Sequence, residues 1–404
     1  MGILFALPAI LGFVIWVVGP MLASLGIAFT DWSLISAPSW VGAANFQRLR
    51  DDPLFWQSLR VTAYYTVVAV PLNLVASFVL ALFLNQRIRG VRVFRTIFYL
   101  PVILPAVATS IVWLWLFNPN FGILNLGLAV LHLPGQSWIF DEQLAIPSLL
   151  MLVPFFWMLS SSRKPMNAIF LFPPRWIPNP PRWGNYVQAM TVLPFYRYFI
   201  NTFRVEAGVI AGWTITSALP ADSFARLRWP GRDTVFYLLL SVLMLPGFVT
   251  LAPTFILWSH LHGVNTYWPL VLPTWFGNSF FIFLLRQFFL TIPLELEDAV
   301  LIDGAGFLRI FWEIIVPLVK PALAVVVIFS FMHVWNEFLA PLIYLNSPQK
   351  FTIALGLASF ISSYSSRWDL LMAASTVTVL PMVLVFFLFQ RYFVEGIALT
   401  GIKG

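Results

Sequence analysis

The chain has 404 residues, 60% of them hydrophobic, 17% aromatic and 10% charged, with a formal net charge of +7 and no cysteine. A soluble domain carries about 25% charged residues, and no soluble interior holds so many apolar side chains, so a water-soluble fold is excluded. Membrane proteins gather Lys and Arg in their cytoplasmic loops, so the net charge does not point to nucleic acid, and the lack of cysteine excludes disulfides and thiolate metal sites. What remains is an all-α, polytopic membrane helix bundle surrounded by lipid.

A bilayer core needs about 20 apolar residues in helix. Runs of that length lie near 3–29, 61–84, 94–117, 205–225, 234–258, 267–290, 318–345 and 370–393. Residues 3–29 lack a basic leader and a small-residue cleavage site, so they read as a span and not as a cleaved signal. A further run at 144–160, "LAIPSLLMLVPFFWMLS", is shorter and carries Pro147 and Pro154. As a helix it reaches roughly 25 Å, short of a comfortable crossing, and it reads as re-entrant or surface-lying. Pro71, Pro101, Pro105, Pro246 and Pro381 fall in or near other spans; transmembrane helices tolerate proline when neighbours satisfy the freed carbonyls.

Orientation follows from the basic loops. "NQRIRGVRVFR" places Arg87, Arg89, Arg92 and Arg95 between two spans, and "RLRWPGRD" places Arg226, Arg228 and Arg232 between two more. Both are expected in the cytoplasm by the positive-inside rule. Counting spans from the second loop puts residues 291–317 and the C-terminal "QRYFVEGIALTGIKG" on the same side.

Residues 293–323, "PLELEDAVLIDGAGFLRIFWEIIVPLVKPAL", stand apart from their apolar surroundings. Pro293 is placed to start a helix, and Glu295, Glu297 and Asp298 fill its first turn, where the helix dipole favours negative charge. Gly304 and Gly306 permit a sharp turn. Phe307, Ile310, Phe311 and Ile314 then recur at helical spacing as an apolar stripe, and Pro317 is expected to end the second helix. The pattern predicts a helix–turn–helix on the cytoplasmic surface. On periodicity alone it is equally an ordinary amphipathic loop.

The residues themselves carry more. The stretch resembles the coupling loop of ABC importer permeases, whose pattern is Glu-Ala-Ala, three residues, Gly, nine residues, Ile, one residue, Leu-Pro. Gly304, Ile314 and Pro317 hold that spacing; Asp298, Ala299 and Val300 stand in place of Glu-Ala-Ala, with Glu297 before them, and Val316 stands for Leu. The resemblance implies a helical knob at 293–317 that docks on a cytoplasmic ATPase, with its apolar face around Ala299, Phe307 and Phe311 in the groove.

From about Val153 to Gly404 the chain is similar to the second permease type of the carbohydrate-uptake (maltose/glycerol-3-phosphate-type) branch, through "PFFWMLSSSRKP", "FPPRWIPNPPRWGNY", "FLLRQFFLTIP" and "WNEFLAPLIYLNSP". Residues 1–150 resemble the front of the first type, through "FTDW", "VGAANFQRL", "LALFLNQRIRG" and "FRTIFYLPVILPAVATSIVWLWLFNP". The implied organisation is a partial first-type permease with three spans over 1–150, a joint and external Pro-rich loop over 151–198, and a type I importer transmembrane domain over 199–404. The resemblance keeps 163–198 outside, although Arg163, Lys164, Arg175, Arg182 and Arg197 would argue by charge alone for the cytoplasm. It also implies the partners: an ABC ATPase dimer, an extracytoplasmic solute-binding protein and a second permease subunit, in a bacterial or archaeal inner membrane. No phosphate-binding Gly-x-x-x-x-Gly-Lys motif occurs, so ATP is expected on the partner ATPase and no cofactor on this chain.

Other conspicuous residues have plainer readings. Glu206 and Asp222 lie in a span, but within a turn or two of Arg204, Arg226 and Arg228, so snorkelling heads are expected. Trp335, Asn336 and Glu337, inside a span, could stack on and hydrogen-bond a sugar in a translocation path; interhelical hydrogen bonding is the simpler role. His260 and His262 have no acidic or thiol neighbour that would make a metal site. Three alternatives to the importer reading remain at this point. A secondary transporter would need an ion-coupling carboxylate, for which Glu206 and Glu337 are the candidates. An integral-membrane enzyme would need clustered acids at a membrane face. A fusion of two permease fragments could also be inactive.

Overall fold

The structure, a computed structural model, describes residues 1–32, 37–84, 125, 128, 153–169, 171, 175–302, 304–363 and 367–399. The expected span at 94–117, the loop with Arg87, Arg89, Arg92 and Arg95, most of the 144–160 run and the seam near residue 150 lie outside these. In chain order the helices are α1 (Gly2–Ile27), α2 (Ala44–Asp51), α3 (Pro53–Leu84), α4 (Val153–Ser161), α5 (Gly184–Val192), α6 (Phe195–Ala225), α7 (Arg232–Met244) and α8 (Gly247–His260). They continue with α9 (Trp268–Phe289), α10 (Glu295–Ile302), α11 (Phe307–Leu318), α12 (Lys320–Asn336), α13 (Leu339–Tyr344), α14 (Ile353–Ser363) and α15 (Trp368–Leu399). Among the described residues the strands are β1 (Thr30–Asp31) and β2 (Ser39–Trp40), paired antiparallel.

Helices α1, α3, α9 and α15 each contain a stretch long and apolar enough to cross a membrane. The expected span at 234–258 is not straight, and the one at 318–345 begins at a sharp bend after the second helix of the acidic segment. α7 and α8 meet at 97°, and α11 and α12 at 78°. Pro246 causes the first bend: it has no N–H to continue the ladder and holds Leu245 in extended backbone (φ −85°, ψ 128°). At the second, Val319 leaves helical geometry (φ −99°, ψ 12°) and Pro321 restarts the chain in the first turn of α12.

Pro317 does not end its helix as expected, and α11 runs on to Leu318. The reason is a π turn over Phe311–Ile315, immediately before the proline. A proline withholds the donor that the carbonyl four residues back would use, and a wider turn re-pairs that carbonyl with a later N–H. The same device recurs in α1, where a π turn over Phe13–Val18 precedes Pro20.

The chain divides into two compact units, one of Met1–Gly26, Leu193–Ser359 and Leu384–Gly404, the other of Ile27–Val192 and Phe360–Val383. In the first, α6 is the central helix and packs against α1, α9 and α12. Phe5 and Ala9 of α1, Ala221 and Phe224 of α6, Leu285 and Phe289 of α9 and Phe311 of α11 share one buried cluster. Small residues let these backbones approach, the usual basis of helix association in lipid. A Cβ on Gly12 would lie 2.5 Å from Phe276 Cβ and 2.7 Å from its carbonyl oxygen. Ser223 Oγ also donates to Gly2 O at 2.7 Å. Glu206 and Asp222 do not snorkel: both are buried, because α6 is enclosed by its neighbours and their heads do not reach water.

In the second unit, Asn45 Nδ2 donates to the carbonyls of Ala28 (3.0 Å) and Thr30 (2.8 Å), which holds α2 to the hairpin. Asn185 Nδ2 donates to Ser162 O (3.1 Å) and Lys164 O (2.7 Å), tying α5 to the turn after α4. The buried Lys164 ammonium lies 3.8 Å from the centre of the Trp157 ring, and burial lowers its pKa to about 8.

The seat of α1 on α9 predicts a steric asymmetry within one helix. Gly12→Leu should lower the unfolding free energy of the purified chain by about 1–3 kcal/mol through overpacking. Gly26→Leu, whose Cβ would meet nothing within 4 Å, should shift it by less than about 0.5 kcal/mol. Denaturant titration in detergent reads both, and equal effects would contradict this packing.

Candidate functional site

The acidic segment folds as two helices around one turn. Glu295, Glu297 and Asp298 occupy the first turn of α10, where unpaired N–H groups and the helix dipole favour carboxylates. The helix stops at Gly304, whose φ of +82° is a left-handed conformation that side chains disfavour. Ala305 N–H donates to Val300 O (3.2 Å) and Gly304 N–H to Leu301 O (3.0 Å), the crossed pair of a Schellman cap. Val300 and Ala305 pack on the unit's core cluster, completing that motif. Gly306 has ordinary extended backbone (φ −78°, ψ 158°) and starts α11, so only Gly304 needs to be glycine for conformational reasons. Asp303 lies outside the described residues.

Arg226, at the C-terminal end of α6, holds this loop in place. Its Nη1 donates to the carbonyls of Phe289 (2.7 Å) and Ile292 (3.1 Å), and its Nη2 to Ile292 (3.2 Å) and Pro293 (3.3 Å). Its Nε forms an ion pair with Glu297, and the Arg226 side chain is only 2% exposed. One guanidinium therefore satisfies carbonyls at the end of α9 and anchors the acidic first turn of α10. Local sequence marks Arg226 only as one of several loop cations. Which carbonyls it reaches depends on elements more than sixty residues away, and no local pattern reports that.

The predicted loop residues separate into an anchored and an exposed set. Glu297 is held by Arg226, and Asp298 is exposed beside it. Ala299 lies within α10. Phe311 is corrected as a docking residue: it is 1% exposed, and its ring meets Phe5 of α1 edge-on at 6.0 Å. The π turn carries Phe311 and Ile315 inward, while Ile314 packs at the margin of the same cluster. The outward edge consists of Phe307 (40% exposed), Leu308 (50%) and Trp312 (51%), with Leu296 and Leu301 on α10.

Trp335, Asn336 and Glu337 do not form one surface. Trp335 is fully buried among Phe199, Phe203 and Phe331, at ring distances of 5.9, 5.5 and 5.3 Å. Asn336 Nδ2 donates to Met332 O at 2.7 Å within its own helix. Glu337 caps α13 by accepting from Ala340 N–H at 2.9 Å, and it lines a cavity beside Trp213 and His333. Among the described residues no group of three or more His, Cys, Asp or Glu is placed to hold a metal ion.

Removing the clamp should free the loop. In Arg226→Ala, amides of residues 295–302 should exchange hydrogen about a hundredfold faster, the equivalent of roughly 3 kcal/mol for breaking a buried ion pair. Arg226→Lys, which keeps the charge without the planar fork, should lie between. Wild-type exchange rates in Arg226→Ala would show that other contacts hold the loop.

The loop falls inside a family match. Residues 137–398 match the family described as binding-protein-dependent transport system inner membrane component. The chain is 32% identical over 277 residues to the arabinooligosaccharides transport system permease protein AraQ of Halalkalibacterium halodurans, an alignment covering 67% of this chain and 98% of that protein. It is 34% identical over 262 residues to the sn-glycerol-3-phosphate transport system permease protein UgpE of Yersinia enterocolitica, covering 63% and 93%. The diacetylchitobiose uptake system permease protein NgcG of Streptomyces coelicolor is 34% identical over 247 residues, covering 60% and 82%. Among solved structures, a bacterial ABC transporter involved in the import of the acidic polysaccharide alginate superposes with a TM-score of 0.55 at 21% identity, over 67% of this chain and 96% of that one. The apolar helices, the clamped loop and these matches agree: the chain belongs to the binding-protein-dependent transport system inner membrane components, and it is an ABC importer permease, not an enzyme.

Proposed function

We propose that this permease passes a sugar, or a related polar solute, across a bacterial inner membrane from an extracytoplasmic binding protein, and that residues 293–317 couple it to a cytoplasmic ABC ATPase dimer. The observation that carries the coupling role is the loop's two-sidedness. Arg226 and the buried Phe311 hold its inner side to α6 and α1, while Phe307, Leu308 and Trp312 stay exposed on its outer edge. An exposed apolar edge on a rigidly held knob is suited to a groove on another protein. The solute class is inferred from the relatives, whose names record arabinooligosaccharides, diacetylchitobiose and sn-glycerol 3-phosphate; all are polyhydroxylated.

ATP belongs to the partner in this scheme. Closure of the ATPase dimer displaces the loop, and the clamp passes the displacement to α6, the central helix. We further propose that residues 1–150 contribute part of a first-type permease, on the strength of their motifs, and that a second permease subunit completes the path.

In reconstituted complex, Phe307→Glu with Leu308→Glu should abolish substrate-stimulated ATP hydrolysis while the chain still inserts. The loss expected is at least about tenfold, because charges replace the apolar contacts at the centre of an interface. Purified chain alone should show no saturable binding of a fluorescent ATP analogue. Full stimulation in the variant, or specific nucleotide binding to the isolated chain, would overturn the division of labour.

Sidedness gives an independent check. The chain has no native cysteine, so single cysteines report without background. Asn179→Cys should label from outside intact cells with a membrane-impermeant thiol reagent, and Gly306→Cys only after the membrane is opened. Labelling of both from the same side would refute the proposed topology.

A further inference from the structure

Between α6, α9, α12 and α13 lies a cavity of about 120 Å³. Its walls are mostly aliphatic, but Trp213, Thr274, His333, Glu337 and Thr352 also face it. Four observations give it a chemical character. Trp213 is held by an edge-on contact with Phe281 at 5.5 Å, and its ring lies 5.2 Å from that of His333. Helix α12 ends at Asn336, so Glu337 has extended backbone (φ −67°, ψ 117°). Glu337 Oε1 is engaged by Ala340 N–H, while Oε2 lies 3.6 Å from His333 Nε2, too long for a hydrogen bond. Thr352 is 2% exposed and its hydroxyl has no hydrogen-bond partner.

A buried hydroxyl without a partner is costly, because it has given up water and gained nothing in return, and it marks a place where a polar group is wanted. The arrangement brings an aromatic ring, a carboxylate, an imidazole and an unpartnered hydroxyl to one cavity. A hydroxyl between Glu337 Oε2 and His333 Nε2 would reach both. An anion is disfavoured by the Glu337 carboxylate, and a bound metal would need more ligands than one carboxylate and one imidazole. At about 30 Å³ per water, the volume equals roughly four waters, room for the edge of one ring and not for a whole oligosaccharide.

We propose that this cavity is a contact site for one sugar ring of a translocated solute, with the ring's C–H face on Trp213 and its hydroxyls on Glu337, His333 and Thr352. The inference deepens the importer reading and rests on it. The loop and ATPase experiments test that reading at a different part of the molecule, so the two can fail separately.

The test uses full-length chain in lipid nanodiscs and saturation-transfer NMR with arabinotriose, N,N′-diacetylchitobiose, maltotriose and glycerol 3-phosphate as probes. At least one of the three sugars should show saturation at its ring protons. Trp213→Ala and Glu337→Gln should each weaken that signal about fivefold or more, the scale of one lost stacking or hydrogen-bonding contact. Glu337→Gln keeps shape and the acceptor for Ala340, and Thr352→Val keeps shape, so both remain informative if Trp213→Ala does not fold; Thr352→Val should weaken binding about threefold. Saturation of none of the sugars, of glycerol 3-phosphate alone, or of a sugar whose signal is unchanged in Glu337→Gln and Thr352→Val would overturn the assignment.

Discussion

Where α9 ends, its last carbonyls have no intrahelical donor, and at the edge of a bilayer such groups need a partner close at hand. The next three N–H groups cover the carbonyls of Arg286, Phe288 and Phe289. Arg226 of α6 adds a second donor to Phe289 and takes the carbonyls of Ile292 and Pro293 beyond it, while the same guanidinium pairs with Glu297 at the start of α10. Backbone satisfaction and mechanical linkage are thus one interaction. A lysine at this position would offer a point charge on a flexible stem, without the planar fork that reaches three carbonyls and a carboxylate together. The loop can be short, acidic and turn-broken because this tie fixes its root, and its apolar outer edge can stay exposed because it has no part in holding the loop.

The same demand for paired backbone groups accounts for irregularities elsewhere. Pro20 and Pro317 each follow a π turn that absorbs the lost donor, so α1 continues to Ile27 and α11 runs through its proline to Leu318. Pro246 has no such turn before it, and α7 and α8 part at a sharp angle. Within α9 the helical ladder is interrupted at Gly277 (φ +84°), and Asn278 restarts it by accepting from Phe280 N–H (3.0 Å) and Phe281 N–H (3.2 Å). These departures are local solutions to a solvent that supplies no hydrogen bonds.

Much of this was legible in the residues. Hydropathy marks the apolar runs, the run of acids marks the loop, and Gly304 and Gly306 mark a sharp turn in it, because those signals are local; that only Gly304 of the two is left-handed is set by the structure. Helix ends were less so: α6 starts at Phe195, ten residues before its apolar run, since its outer turns carry Arg197 and Arg204 and need not be apolar. The inward turn of Phe311 depends on a change of helical register that a strict 3.6-residue count does not contain. In sequence Trp335 is the aromatic beside Glu337, yet it is Trp213, more than a hundred residues away, that shares the cavity with Glu337. Pairings of that kind are set by packing.

Helix α1 has its partners far along the chain. Its seat is formed by α6 and α9, and α6 begins at Phe195. At a synthesis rate of roughly 5–20 residues per second, α1 waits on the order of 10 s or more in the membrane before its partner exists. In lipid this wait is tolerable, because hydrocarbon solvates the outer face of an apolar helix as well as a neighbouring helix does. The small residues Ala6, Ala9 and Gly12 leave the room that α6 and the α9 region later fill. Assembly of this unit is therefore a late docking of preformed helices, with its rate set by encounter in the plane of the membrane.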